Sequence, residues 1–154
     1  MRLGELIRQL KGCDPTCRIR FSFARFVPDG IDSYRGSYDQ LALGWRESKA
    51  PAGGTWRDDY PKVADILKLC EDVVGKTLEG YKGGDFPMSE KTMVWVANYG
   101  ECHDTGITAV RDVGGEVVID TAYQEHHMEP EMVADILGQL HGRASRFAPK
   151  GCRE

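Results

Sequence analysis

From Arg18 to Ala24 apolar and polar side chains alternate, with Ile19, Phe21 and Phe23 on one side and Arg18, Arg20 and Ser22 on the other. The pattern returns from Tyr38 to Trp45, where Leu41, Leu43 and Trp45 oppose Tyr38, Gln40 and Ala42. A period of two is the mark of strands that bury one face. It commits the chain to a sheet whose apolar side needs a cover of helices. The polar side is left for solvent, a ligand or a second copy of the chain.

Further strands are expected over 77–81, 93–99, 107–113 and 116–123. The stretch 93–99 is apolar on both faces and reads as central, and the last two form a hairpin around Gly114-Gly115. Three segments carry helical spacing. Residues 2–11 bury Leu3, Leu6, Ile7 and Leu10 and stop at Gly12. Residues 61–74 start on a proline, bury Val63, Ile66, Leu67, Cys70 and Val74, and stop at Gly75. Residues 130–141 turn Met132, Val133, Ile136, Leu137 and Leu140 inward. Pro28-Asp29-Gly30 signals a loop over 26–30, and Glu47–Thr55 reads as a surface loop. The expected fold is α+β: a mostly antiparallel sheet of five to six strands with two to three helices on one face. Residues 1–142 form the expected single domain and 143–154 a frayed tail. Antiparallel pairing of the 18–24 and 38–45 strands would put Arg20 and Tyr38 on the same side.

The net charge of −4 argues against general affinity for nucleic acid. Charge is unevenly spread: residues 1–60 carry 10 Lys+Arg against 8 Asp+Glu, while 61–128 carry 6 against 12. A small anion would find cationic company in the first third. Five cysteines, with no signal-like or membrane-length apolar run, point to a reducing cytoplasm and no membrane partner.

The chemically richest stretch is Ile31 to Trp45. Arg35 offers a planar cationic fork, Gly36 an unobstructed N–H, and Tyr34 and Tyr38 flat faces and hydroxyls. The plain alternative is a hairpin loop whose tyrosines cover the core edge. Tyr81-Lys82-Gly83-Gly84 could curl backbone N–H groups around an anion, or be only a loose turn; it lacks the spacing of a phosphate-binding P-loop. Asn98, Tyr99 and Thr105 lie near a strand end and suit ring stacking and hydrogen bonding, whereas Trp95 reads as core.

Cys13 and Cys17, Cys102-His103 and His126-His127 lack the spacing of a structural zinc site, so no metal is expected. Cys70 lies on a buried stripe, and Cys102-His103-Asp104 are neighbours in sequence whose side chains diverge. Asp32 with Asp39, or Asp58-Asp59, would be the carboxylate pairs for magnesium or acid–base work. Asp58-Asp59 reads more simply as charge before a helix N-terminus. No catalytic residue and no cofactor is therefore assigned.

Asp-Ser-Tyr-Arg-Gly at 32–36, Tyr-Asp-Gln-Leu-Ala-Leu at 38–43, Tyr-Lys-Gly-Gly at 81–84 and Trp-Val-Ala-Asn-Tyr-Gly at 95–100 together resemble small uncharacterised proteins of tailed bacteriophages. The resemblance covers roughly residues 1–120 and carries no residue-by-residue pocket. Some phage proteins of this size are anti-defence sponges, oligomers that sequester cyclic nucleotide or cyclic ADP-ribose immune signals without cleaving them. The resemblance implies a homo-oligomer in the host cytoplasm that binds a nucleotide-like anion. Arg20, Arg35 and Lys82 would meet phosphate, helped by Gly36, Gly83 and Gly84; Tyr34, Tyr38 or Tyr99 would stack on the ring, with Asn98 and Thr105 at its edge. The alternatives are a metal-dependent enzyme acting on a nucleotide or phosphoester, and a protein-binding inhibitor of a host factor.

Overall fold

The structure is a computed structural model that describes residues 1–23, 25–100 and 104–124. The expected helix over 130–141, the tail from 143, Ala24, Cys102, His103, His126 and His127 lie outside the described residues. Met1–Gln124 forms one compact unit. Along it run α1 (Leu3–Lys11), β1 (Arg18–Phe21), β2 (Phe26–Tyr34), β3 (Ser37–Glu47), a 3₁₀ turn (Trp56–Asp59) and α2 (Val63–Val73). Then come β4 (Thr77–Glu79), β5 (Asp85–Pro87), β6 (Val94–Val96), β7 (Thr105–Asp112) and β8 (Glu116–Tyr123).

The fold is α+β, but its main sheet is mixed. Six strands run in the order β1-β8-β7-β6-β3-β2, and β4 and β5 form a separate two-stranded sheet. β1 pairs parallel with β8 and β3 parallel with β6, while the remaining pairs are antiparallel. The expected pairing of the first strand with Tyr38–Trp45 does not occur: Arg20 lies opposite Val118. The parallel β3–β6 step has a topological cause. A parallel neighbour needs a long crossover, and α2 with the β4–β5 hairpin supplies it.

The outer strands of the sheet, β1 and β2, are consecutive in the chain and joined only by 22–25. Laid flat, strands five steps apart would be separated by about 24 Å. The link from Phe21 to Phe26 spans at most about 18 Å. The sheet must curl until its two edges approach.

Both helices pack on one face, where Leu3, Leu6, Leu10, Val63, Ile66 and Cys70 meet Ile19, Phe21, Leu41, Leu43, Val94, Val96 and Ile119 in one core. Burying each such side chain stabilises the fold by about 1.5–3 kcal/mol. α1 begins without a side-chain cap. The amides of Leu3 and Gly4 instead donate to the carbonyls of Thr92 and Glu90, each at 2.8 Å, which satisfies helix-end donors through the chain leading into β6. α2 starts in the same way, with Val63 and Ala64 donating to Cys17 and Pro15. At its other end the buried residue is Val73, and Val74 is exposed, a one-residue correction to the expected stripe. The chain leaves helical geometry at Val74, and Gly75 follows at φ +77°.

Pro28-Asp29-Gly30 is not a loop. It lies inside β2, whose register shifts between Pro28 and Ile31, so the turn residues form a β-bulge on an outer strand. Proline is tolerated there, and Gly30 takes the positive φ of +81°. Asp58 and Asp59 lie ahead of α2 and are held in the 3₁₀ turn. Asp58 accepts from the Thr55 amide and pairs with Arg18, and Asp59 binds Arg46 and the Lys49 amide.

The helix register predicts an asymmetric pair of variants. In urea denaturation of the full chain, Val73→Ala costs about 2 kcal/mol, whereas Val74→Ala stays within about 0.5 kcal/mol. Equal losses would contradict the observed face.

Candidate functional site

On the sheet face away from the helices the strands carry small residues. Ala42 and Gly44 of β3 and Ala97 just after β6 form the floor of a cleft of about 240 Å³. One wall comes from the bulge and the end of β2, with Asp29, Gly30, Ile31, Asp32, Ser33 and then Arg35. Asn98 and Tyr99 supply the other.

Gly44 is what lets the walls come close. A Cβ built on it would sit 2.2 Å from the Asp29 carbonyl oxygen and 3.1 Å from the Tyr99 hydroxyl. Tyr99 is 55% exposed and its ring lies 5.3 Å from Trp45, whose indole N–H donates to the Ala97 carbonyl at 2.9 Å. The Asn98 side-chain oxygen accepts the Gly100 amide at 2.9 Å, which shapes the turn that carries Tyr99.

At the opposite end, the β4–β5 hairpin packs beside the β2–β3 turn. The Ser33 hydroxyl donates to the Glu79 carbonyl at 3.3 Å, and Tyr38 packs on Phe86 with ring centroids 5.9 Å apart. This places Tyr81 beneath Arg35, whose guanidinium carbon lies 5.0 Å from the ring centroid. A cation over an aromatic face is held in place while keeping donors for an anion.

The expected residues divide accordingly. Arg35, Asn98 and Tyr99 line the cleft. Lys82 is exposed at the hairpin tip next to Tyr81, near the Arg35 end but not on the lining. Gly36 is exposed in the β2–β3 turn. Gly83 and Gly84 adopt positive φ, but the Gly83 amide donates to the Gly80 carbonyl at 2.8 Å and so closes the turn itself. Tyr38 supports the hairpin rather than the cleft. Tyr34 is 1% exposed, stacks on Trp95 and accepts the Asp104 amide through its hydroxyl at 3.3 Å. Burial raises its phenol pKa, and its ring is core rather than a ligand platform. Arg20 lies on β1, ion-paired with Glu116 and donating to the Phe21 carbonyl. Thr105 opens β7 and is not on the cleft lining.

The reading from sequence missed Asp29, Gly30, Ile31, Ser33, Ala42, Gly44 and Ala97, and weighed Asp32 only as half of a carboxylate pair with Asp39. A usable signal existed: a glycine inside an otherwise regular strand marks a close backbone approach. Elsewhere, burial pushes the Cys70 thiol up to about 12, which leaves it inert as a nucleophile. Among the described residues, no three His, Cys, Asp or Glu gather as a metal site, and no helix is long and apolar enough to cross a membrane. No family model, curated protein or solved structure matches the chain.

Two outcomes follow from these contacts. Gly44→Ala should destabilise the fold by about 1–3 kcal/mol, because either the Asp29 bulge or β3 must move; a change under about 0.5 kcal/mol in chemical denaturation would show that the bulge yields freely. The Lys49 amide and Arg46 hold the Asp59 carboxyl below its ordinary pKa. With the folded value depressed, the tie is complete above the unfolded value of about 3.9 and is lost as pH falls through the lower folded value. The Lys49 amide resonance should titrate below about pH 3.9, and Asp59→Asn should abolish that titration.

Proposed function

We propose that this chain binds and holds a small nucleotide-derived anion without converting it. The observation that carries the reading is the meeting of Arg35, Asn98 and Tyr99, from separate segments, on one cleft. Tyr99 offers an exposed ring for stacking, worth about 1–3 kcal/mol per base. Arg35, steadied on Tyr81, offers a fork for phosphate, and exposed Lys82 adds charge beyond it. At about 240 Å³ the cleft is smaller than the roughly 300–1,000 Å³ of pockets that enclose drug-sized ligands. It suits a single nucleotide-sized group with its phosphate at the rim. The resemblance to small tailed-bacteriophage proteins supplies a setting, sequestration of an immune signal in the host cytoplasm by an oligomer.

The test is retention followed by release. The purified protein is incubated with a panel of nucleotides and ADP-ribose derivatives, washed, heated and assayed by mass spectrometry. Recovery of an intact ligand supports sequestration; a converted product or an empty release overturns it. Arg35→Ala and Tyr99→Ala should each weaken binding at least about tenfold, or about 1.4 kcal/mol. Arg20→Ala, off the cleft lining and ion-paired with Glu116, should leave affinity unchanged.

A further inference from the structure

The cleft is not uniformly cationic, and its charges are ordered along the strands. The β2–β3 register gives the order: the bulge at Asp29 lies across from Gly44 beside Tyr99, Asp32 lies opposite Ala42, and Arg35 sits in the turn beyond the Tyr34–Ser37 pair. Partners in register share a face, so Asp32 stands on the same side as Ala42, over the floor of the cleft. One Asp32 oxygen accepts the Ser33 amide at 2.7 Å. The carboxylate is exposed, and its other oxygen has no bond among the described residues.

An ionised carboxylate only accepts hydrogen bonds and repels an anion. The middle of the cleft therefore disfavours phosphate and suits a group that donates hydrogen bonds, such as paired hydroxyls. Arg35 follows Asp32 by three residues, past the end of β2, so their backbones lie at most about 11 Å apart. With the Asp29 carboxylate at the aromatic end ion-paired to Arg46 at 3.8 Å, the order of groups left to a ligand is aromatic ring and amide, then the Asp32 carboxylate, then guanidinium. A ribonucleoside 5′-phosphate presents its groups in the same order, as base, vicinal diol and phosphate.

Resting on the nucleotide reading above, we infer that the ligand is a ribonucleoside 5′-phosphate with a free 2′,3′-diol, bound with the diol on Asp32 and the 5′-phosphate toward Arg35. Nucleotides whose 2′ or 3′ oxygen is esterified, including 2′,3′-cyclic and 3′,5′-cyclic monophosphates, lack the paired donors and bring negative charge to a carboxylate.

The experiment is calorimetric titration of the wild-type chain with the four common ribonucleoside 5′-monophosphates, their 2′,3′-dideoxy counterparts and the two cyclic series. The expected result is that at least one ribonucleotide binds, that its dideoxy form binds at least tenfold more weakly, and that both cyclic forms are weaker still. Asp32→Asn should compress the ribo-to-dideoxy ratio at least fivefold while leaving dideoxy affinity unchanged, which a merely structural role of Asp32 would not do. If dideoxy or cyclic forms bind as well as the ribonucleotide, the diol assignment fails and the nucleotide reading stands. If no nucleotide of any series binds, the nucleotide reading fails and takes the assignment with it. The wild-type comparison decides the matter even if the variant does not fold.

Discussion

The close approach of the Asp29 carbonyl to Gly44 is the contact on which the site depends. The bulge there adds one residue to β2 relative to β3, taking the register from Pro28 opposite Trp45 to Ile31 opposite Leu43. Without the extra residue, the first register would continue and set Asp32 opposite Leu41, a fully buried core residue. A one-residue slip turns every side chain to the other face, and an unpaired carboxylate among apolar side chains is severely unfavourable. With the bulge, Asp32 meets Ala42 on the outer face and Ile31 packs toward the core. One backbone irregularity thus separates a polar wall from an apolar one.

The two faces of the sheet differ in side-chain size as well as polarity. Leu41, Leu43, Val94 and Val96 fill the space beneath the helices, while Ala42, Gly44 and Ala97 leave the other side hollow. The floor is bounded on the hairpin side by Trp95, which stacks on Tyr34 and donates to Gln40. Large rings thus pack one part of the outer face and small residues open the next. A cleft on a sheet needs such a change of volume, because uniformly large residues would close it and uniformly small ones would leave a flat surface.

What was legible in the sequence was local. The helices over Leu3–Lys11 and Val63–Val73, the strand from Arg18 and the Gly114-Gly115 hairpin all follow from periodicity and turn chemistry that act within a few residues. The central place of β6 was readable from its apolar character on both faces. Pairing partners were not legible: β1 joins β8 across almost the whole described chain, and no local preference encodes that choice. The Pro28-Asp29-Gly30 signal reads as a loop from sequence but forms a bulge, since the same residues serve a turn or a bulge depending on whether a partner strand is present. The site suffered in the same way. Arg35, Asn98 and Tyr99 are conspicuous by chemistry alone, but the glycine and alanines of the floor acquire meaning only once β3 and β6 lie side by side.

The parallel step from β3 to β6 ties the remaining parts together. It requires a crossover, and the same crossover carries the β4–β5 hairpin whose Tyr81 supports Arg35. A two-stranded hairpin has little stability of its own, so its position depends on contacts with its neighbours, Ser33 on Glu79 and Tyr38 on Phe86. Gly80 makes that packing possible, because a Cβ there would lie 2.9 Å from both Tyr38 and Phe86. The cation at the rim is consequently oriented by a marginal element that leans on the strands forming the cleft. An anion that engages Arg35 would add a further restraint on the turn, and thereby favour the docked hairpin over any arrangement in which Tyr81 leaves the guanidinium. Any binding at the rim would in this way be linked to the order of the crossover.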